Sequence, residues 1–387
     1  MDRNDYYGGK STSVTPLKSL FSYFNVSGDT EKFGTGKEWN VDIIPKFLMS
    51  NALLIHTGVL RYLEFKQIEG SYVYQNGGIH KVPCDEAEAL SSNLMSLFEK
   101  RRFRKLLVWV MNVRSDDPAT WKDVYQPPKD IAKDSVMHAF EHFEINEDTQ
   151  TFIGHAICLY PDDSYKEKVP ALEVIQRMQL YSQSVCRYGK SPYVYPLYGL
   201  VMENGHAVGV KAEGEVARCK LVICDPTYAP DRVKKIGKVV RAICLLNHPI
   251  PGVQNVTSCQ VIIPQKESKR HHDIYISCVS HPHMVCPEKF YVVLVATTVE
   301  TENPHDELKP GLDLLGPIEQ LFYSVEDLFE PVDDGRSSKI FISSSYDAST
   351  HFESTCEDVL NLYERITGQP FDFSKVSEKM NKWKEEA

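Results

Sequence analysis

A chain of 387 residues, at roughly 150 per domain, is expected to hold two or three domains and to bury a large core without disulfide or metal staples. Its composition, 42% hydrophobic and 25% charged, argues against global disorder. A formal charge of −10 and a pI near 5.7 weigh against nucleic acid or anionic lipid as the primary partner.

No apolar run approaches the length of a membrane span, and the first nine residues lack the apolar core of a signal peptide. Ten scattered cysteines without any Cys-x-x-Cys read as reduced, buried thiols, so a cytoplasmic protein is expected.

In chain order, residues 1–85 are mixed. The stretch from Trp39 to Asn51 leads into a short helix, and Leu60–Ile68 and Tyr72–Tyr74 alternate like strands. Asn76-Gly77-Gly78 turns the chain into Ile79–Pro83, a hairpin. Residues 86–190 read as helical. Asp85 or Ser91/Ser92 can cap a helix carrying Leu94, Leu97, Phe98, Phe103, Leu106 and Val110. Shorter helical patterns follow at Val136–Phe143, Phe152–Ile157 and Ala171–Val185, and together they predict a small bundle. From 191 to 387 the pattern is β-rich, with strands expected at 216–224, 239–246, 259–264, 273–279, 289–299 and 338–346. Helices are expected near 310–323 and over 353–367, the second ending before Gly368. The simplest architecture is a mixed α/β domain built from both chain ends (1–85 and 191–387) with a helical domain, 86–190, between them.

The search for chemistry returns decoys. Tyr188-Gly189-Lys190-Ser191 resembles the tail of a phosphate-binding loop, but Ser184 stands where its first glycine belongs and Pro192 follows where the helix should run on. His271-His272-Asp273 and His281/His283 with Cys286 could supply metal ligands, yet no second cysteine pair completes a tetrahedral set, and solvated loop histidines are the alternative. No Gly-x-Ser-x-Gly occurs. No catalytic residue, no metal and no cofactor is expected, which favours an interaction protein.

Several blocks carry a resemblance. Met1–Gly9 (MDRNDYYGG), Trp39–Lys46 (WNVDIIPK), Phe98–Lys105 (FEKRRFRK), Arg187–Leu200 (RYGKSPYVYPLYGL), Glu213–Cys219 (EGEVARC) and Ser345–Glu353 (SYDASTHFE) resemble the Rab GDP-dissociation inhibitors, over essentially the whole chain. The resemblance implies a large FAD-monooxygenase-like α/β domain with a smaller helical domain, and fold alone does not imply flavin chemistry. It also implies binding of prenylated, GDP-loaded Rab GTPases, slowed GDP release and extraction from membranes. The implied protein is a monomeric cytoplasmic carrier in transient contact with membranes, with no role for nucleic acid.

Two departures stand out. The family begins with a strand, a glycine-rich turn and a helix before the Met1–Gly9 block, and this sequence starts at the block. The family also continues from its Tyr-Gly-Leu into a further helix and strand, whereas Leu200 here joins almost directly to Val201-Met202-Glu203-Asn204-Gly205. No Gly-x-Gly-x-x-Gly is present, so no dinucleotide binding is expected.

By the resemblance, Tyr7 matches a tyrosine that contacts the GTPase switch region, a suitable aromatic anchor with a polar tip. Arg187, Ser191 and Tyr193 match a mobile loop that engages the membrane or its receptor. The helical domain is implied to hold the geranylgeranyl chain, with Met95, Phe98, Val136, Phe140, Ile153, Ile157 and Met178 as lining candidates. Ordinary core packing is the alternative for each. The rival readings are a truncated, non-binding form of such an inhibitor and a degenerate flavin-oxidoreductase-like protein.

Overall fold

The computed structural model describes residues 9–34, 36–49, 65–84, 88, 91–196, 211–212, 215–216 and 220–373. Its centre is a seven-stranded sheet. The strands are β1 (Gly70–Gln75), β2 (Gly78–Lys81), β3 (Val233–Leu246), β4 (Cys259–Ile263), β5 (Ile274–Ser280), β6 (Tyr291–Thr298) and β7 (Gln320–Pro331), in the order β7-β3-β6-β5-β4-β1-β2. Every pairing is antiparallel except β4 with β1. Strands from before and after the long helical stretch therefore share one sheet. The β1–β2 hairpin closes through Asn76 and Gly77, at φ 50° and 80°, the left-handed pair that a two-residue turn demands.

Because strand side chains alternate, the sheet separates two cores. Val239, Ile243 and Leu245 of β3 and Leu294 and Ala296 of β6 face the larger one, which also contains the apolar residues of the helical stretch. Val240, Ala242, Cys244 and Leu246, with Val293 and Val295, face a smaller core closed by Leu308 and Leu315. This two-sided burial explains why the second half of β3 reads as a continuous apolar run.

The principal helices are α1 (Leu17–Tyr23), α2 (Leu97–Asn112), α3 (Met137–His142), α4 (Glu147–Phe152), α5 (Ala171–Tyr188) and α6 (Glu353–Thr367). The cap of α2 is Ser96, not Asp85, Ser91 or Ser92: its hydroxyl accepts from the Glu99 amide at 3.3 Å. Glu99, three residues into the helix, is buried and accepts from the Asn146 amide at 2.9 Å. Asn146 in turn caps α4 by accepting from the Thr149 amide at 2.8 Å, so one carboxylate ties two helix starts together. Beyond α4 the chain widens into a π turn, Ile153–Ile157. There Gly154 lies under the Tyr165 ring, and a Cβ would stand 2.3 Å from that ring. Helix α6 ends at Gly368, in the left-handed region at φ 75°.

One expected element is wrong. Instead of a helix over 310–323, only Lys309–Leu312 is helical, and β7 begins at Gln320. Gly316 at φ 73° breaks the apparent helical period, and Phe322 is buried among aromatic rings from α1. The expected strand at 216–224 contributes Val222–Cys224, which pairs in parallel with Ile340–Ile342.

Candidate functional site

Three of the resemblance-bearing blocks meet on the larger-core face of the sheet. Lys46 is buried, and its ammonium donates to Asp347 Oδ1 at 2.7 Å, the Ser349 carbonyl at 2.7 Å and Ser349 Oγ at 3.1 Å. An ammonium has three protons, so this set satisfies it fully. Next along the chain, Phe47 exchanges backbone hydrogen bonds with the same segment: its amide donates to the Thr350 carbonyl at 2.8 Å, and its carbonyl accepts from the Phe352 amide at 3.0 Å. Leu48 does the same with Val194, at 2.9 Å in each direction. The Tyr195 hydroxyl donates to the Asp42 carboxylate.

The sheet supplies the floor of this cradle. Arg241 of β3 is buried, donates to the Tyr346 and Asp347 carbonyls at 3.0 and 2.7 Å, and pairs with Glu326 of β7 at 3.5 Å. Gln260 of β4 accepts from Thr350 Oγ1 at 3.0 Å and donates to the Tyr193 hydroxyl at 3.4 Å. Burial lowers the pKa of Lys46, with Asp347 opposing that shift. Burial works against ionised Asp347, but Lys46 and His351 outweigh it and hold the carboxyl well below its ordinary range. The loop 345–353 is thus fixed by charge-assisted bonds from Lys46 on one side and Arg241 on the other.

A second buried pair joins the helical stretch to the sheet. His155, in the π turn, lies 2.7 Å from Asp273 Oδ2 through Nδ1 and 3.4 Å from Asp163 through Nε2. Burial opposes the charge on His155, yet the two carboxylates prevail and raise its pKa to about 9. Ser184 of α5 adds a hydrogen bond to the Met49 carbonyl at 3.0 Å, and Gln67 donates to the Tyr188 carbonyl.

The lipid-lining candidates divide. Val136, Phe140, Ile153, Ile157 and Met178 are buried together in the larger core, and Met95 packs against it half-buried. Phe98 does not line this cluster: on the outer side of the first turn of α2 it is 70% exposed. The periodic pattern misplaced it, because the helix turns Leu106, Trp109 and Val110 inward instead. An open cleft of about 260 Å³ lies between the end of α2 and α5, lined by Val113, Arg114, Leu172, Ile175 and Gln179 among others, and none of the seven candidates borders it.

Of the loop residues, Arg187 is exposed, but Ser191 and Tyr193 are fully buried and do not form a membrane-facing loop surface. Ser191 Oγ donates to the Ile68 carbonyl at 2.5 Å and accepts from the Tyr193 amide at 3.3 Å, pinning the chain as it returns from α5 to the sheet. Tyr7 lies outside the described residues, as do 50–64 and most of 197–219.

The histidine decoys resolve individually. The His272 ring pairs with Glu300 at 3.0 Å, and Asp273 belongs to His155. His283 is buried rather than solvated, and burial lowers its pKa to about 4. Among the described residues no group of three or more His, Cys, Asp or Glu side chains could hold a metal ion.

The chain matches the model of the GDP dissociation inhibitor family over residues 1–202 and again over 200–378. It belongs to that family. It is 48% identical to the Rab GDP dissociation inhibitor beta of Rattus norvegicus and of Canis lupus familiaris, covering 98% of this chain and 92% of each relative. The solved structure of a Rab GDI from Plasmodium falciparum superposes with a TM-score of 0.86 at 38% identity, covering 96% of this chain and 92% of that one. An oxidoreductase from Methanosarcina mazei shares the fold at a TM-score of 0.52 and 14% identity, covering 94% and 93% of the two chains. The two stretches matched to the inhibitor family meet at the Leu200–Val201 junction. The alignment with the rat protein runs over 413 residues against the 387 of this chain, so the relative has residues that this one lacks.

The likeness to the oxidoreductase is one of fold alone. No glycine-rich dinucleotide turn occurs in the sequence. The buried cations of the cradle, Lys46 and Arg241, are engaged by protein carboxylates and carbonyls.

Proposed function

We propose that this chain is a Rab GDP-dissociation inhibitor that binds prenylated, GDP-loaded Rab GTPases, slows their GDP release and carries them between membranes and cytosol. It acts by stoichiometric binding, not catalysis, as a cytoplasmic monomer. The observation that carries this reading is the 48% identity to Rab GDP dissociation inhibitor beta across 98% of the chain.

In this reading 1–85 and 191–387 form the Rab-facing domain, and 86–190 forms the lipid-binding domain. Tyr7 contacts the GTPase, and exposed Arg187 faces a membrane or receptor. The prenyl chain enters among Met95, Val136, Phe140, Ile153, Ile157 and Met178. Five of these are buried in the larger core, so the lipid takes its place by parting the helices, gaining about 0.8 kcal/mol for each methylene it buries.

The test is release of a fluorescent GDP analogue from a geranylgeranylated Rab as the chain is added stepwise. Release slowing to a plateau at one chain per Rab is expected. Release at the free-Rab rate with excess chain would overturn the proposal.

A further inference from the structure

Helix α2 leaves an unusual face uncovered. At 100° per residue, Leu97, Phe98, Arg101, Arg104, Lys105, Val108 and Met111 fall on one arc, and all are exposed. The apolar members are far from incidental: Leu97 is 58%, Phe98 70%, Val108 57% and Met111 45% open to solvent. No acidic residue lies on this arc; the helix's one carboxylate, Glu99, points into the core. Three cations thus stand among four apolar side chains on a protein whose net charge is −10.

We infer that this face of α2 is the surface by which the chain rests on an anionic lipid bilayer. The inference rests on the carrier function proposed above and specifies where membrane contact is made. The geometry fits a bilayer interface better than a protein groove. The face is a convex cylinder about 21 Å long, from 14 residue steps of 1.5 Å, with apolar and basic side chains intermixed instead of lining a cleft. On a bilayer the apolar groups enter the headgroup–acyl boundary, while the long stems of Arg101 and Lys105 lie along it and their heads reach lipid phosphates. The attraction is local: it acts within a Debye length, so the acidic remainder of the protein stands off from the same surface. Contact is therefore weak and reversible, as a shuttle between membrane and cytosol requires.

The test is flotation of the full chain, without Rab, on phosphatidylcholine vesicles with and without phosphatidylserine. The wild-type chain is expected to float only with the anionic vesicles and to be released by salt. Arg101→Glu/Lys105→Glu should lower binding by about 30-fold or more. Val108→Ser should weaken it several-fold without altering its salt dependence, and Arg101→Lys should retain it. Wild-type chain that stays soluble with both vesicle types, or a double variant that floats undiminished, would overturn the inference. It would equally fall if the double variant kept vesicle binding but lost a soluble GDP-loaded Rab, since the face would then dock protein. GDP release in solution separates this from the functional reading: the double variant should slow it as the wild type does.

Discussion

The cradle around Lys46 and the helical core around Phe140 are held by opposite kinds of force. In the cradle, two buried cations are matched one by one to carboxylates and carbonyls from distant segments, so displacement of any partner leaves a desolvated charge. In the helical core the residues are apolar, the attraction is non-directional, and a lipid tail can replace a side-chain contact with a similar one. Under the proposed function, the cradle is the part that keeps one geometry beside the GTPase, and the helical core is the part that opens for the prenyl chain.

Arg241→Met should cost about 3–5 kcal/mol, because Glu326 and two carbonyls lose a buried partner; a denaturant midpoint within error of wild type would count against a rigid cradle. His155 joins the helical stretch to the sheet through Asp273 and makes that union pH-dependent. Its folded pKa, about 9, lies above the unfolded value near 6.5. Its stabilisation is therefore complete below pH 6.5 and declines as pH rises to 9. His155→Gln should remove this slope from urea melts taken across that range, and an unchanged slope would mean that the proton resides elsewhere. Gly154→Ala should cost about 1–3 kcal/mol by driving a methyl into the buried Tyr165 ring, and a calorimetric melt reads it. Thr350→Val should cost about 1–2 kcal/mol through the acceptor left bare on Gln260, again seen in melts.

Local features of the fold were legible in the sequence. The Asn76-Gly77 hairpin and the stop of α6 at Gly368 depend on left-handed backbone at named residues, and both stand as read. Residues 310–323 misled because apolar spacing there fits a short helix, while the Gly316 break and pairing with β3 decide for strand β7. The site was less legible. The His155–Asp273 and Lys46–Asp347 pairs join residues 118 and 301 positions apart, and no local pattern announces them. Only the resemblance places Ser191 and Tyr193 in a mobile loop, and no local pattern foretells that tertiary packing buries both.

The contrast between the two regions is tested most directly by hydrogen exchange of the chain alone and in complex with GDP-loaded Rab, prenylated and unprenylated. Both forms of Rab should leave exchange at Phe47, Phe352 and their cradle neighbours slow. Only the prenylated form should alter exchange in α3, α5 and the Ile153–Ile157 turn. Lipid-dependent changes in the cradle, with none in those helices, would contradict the account.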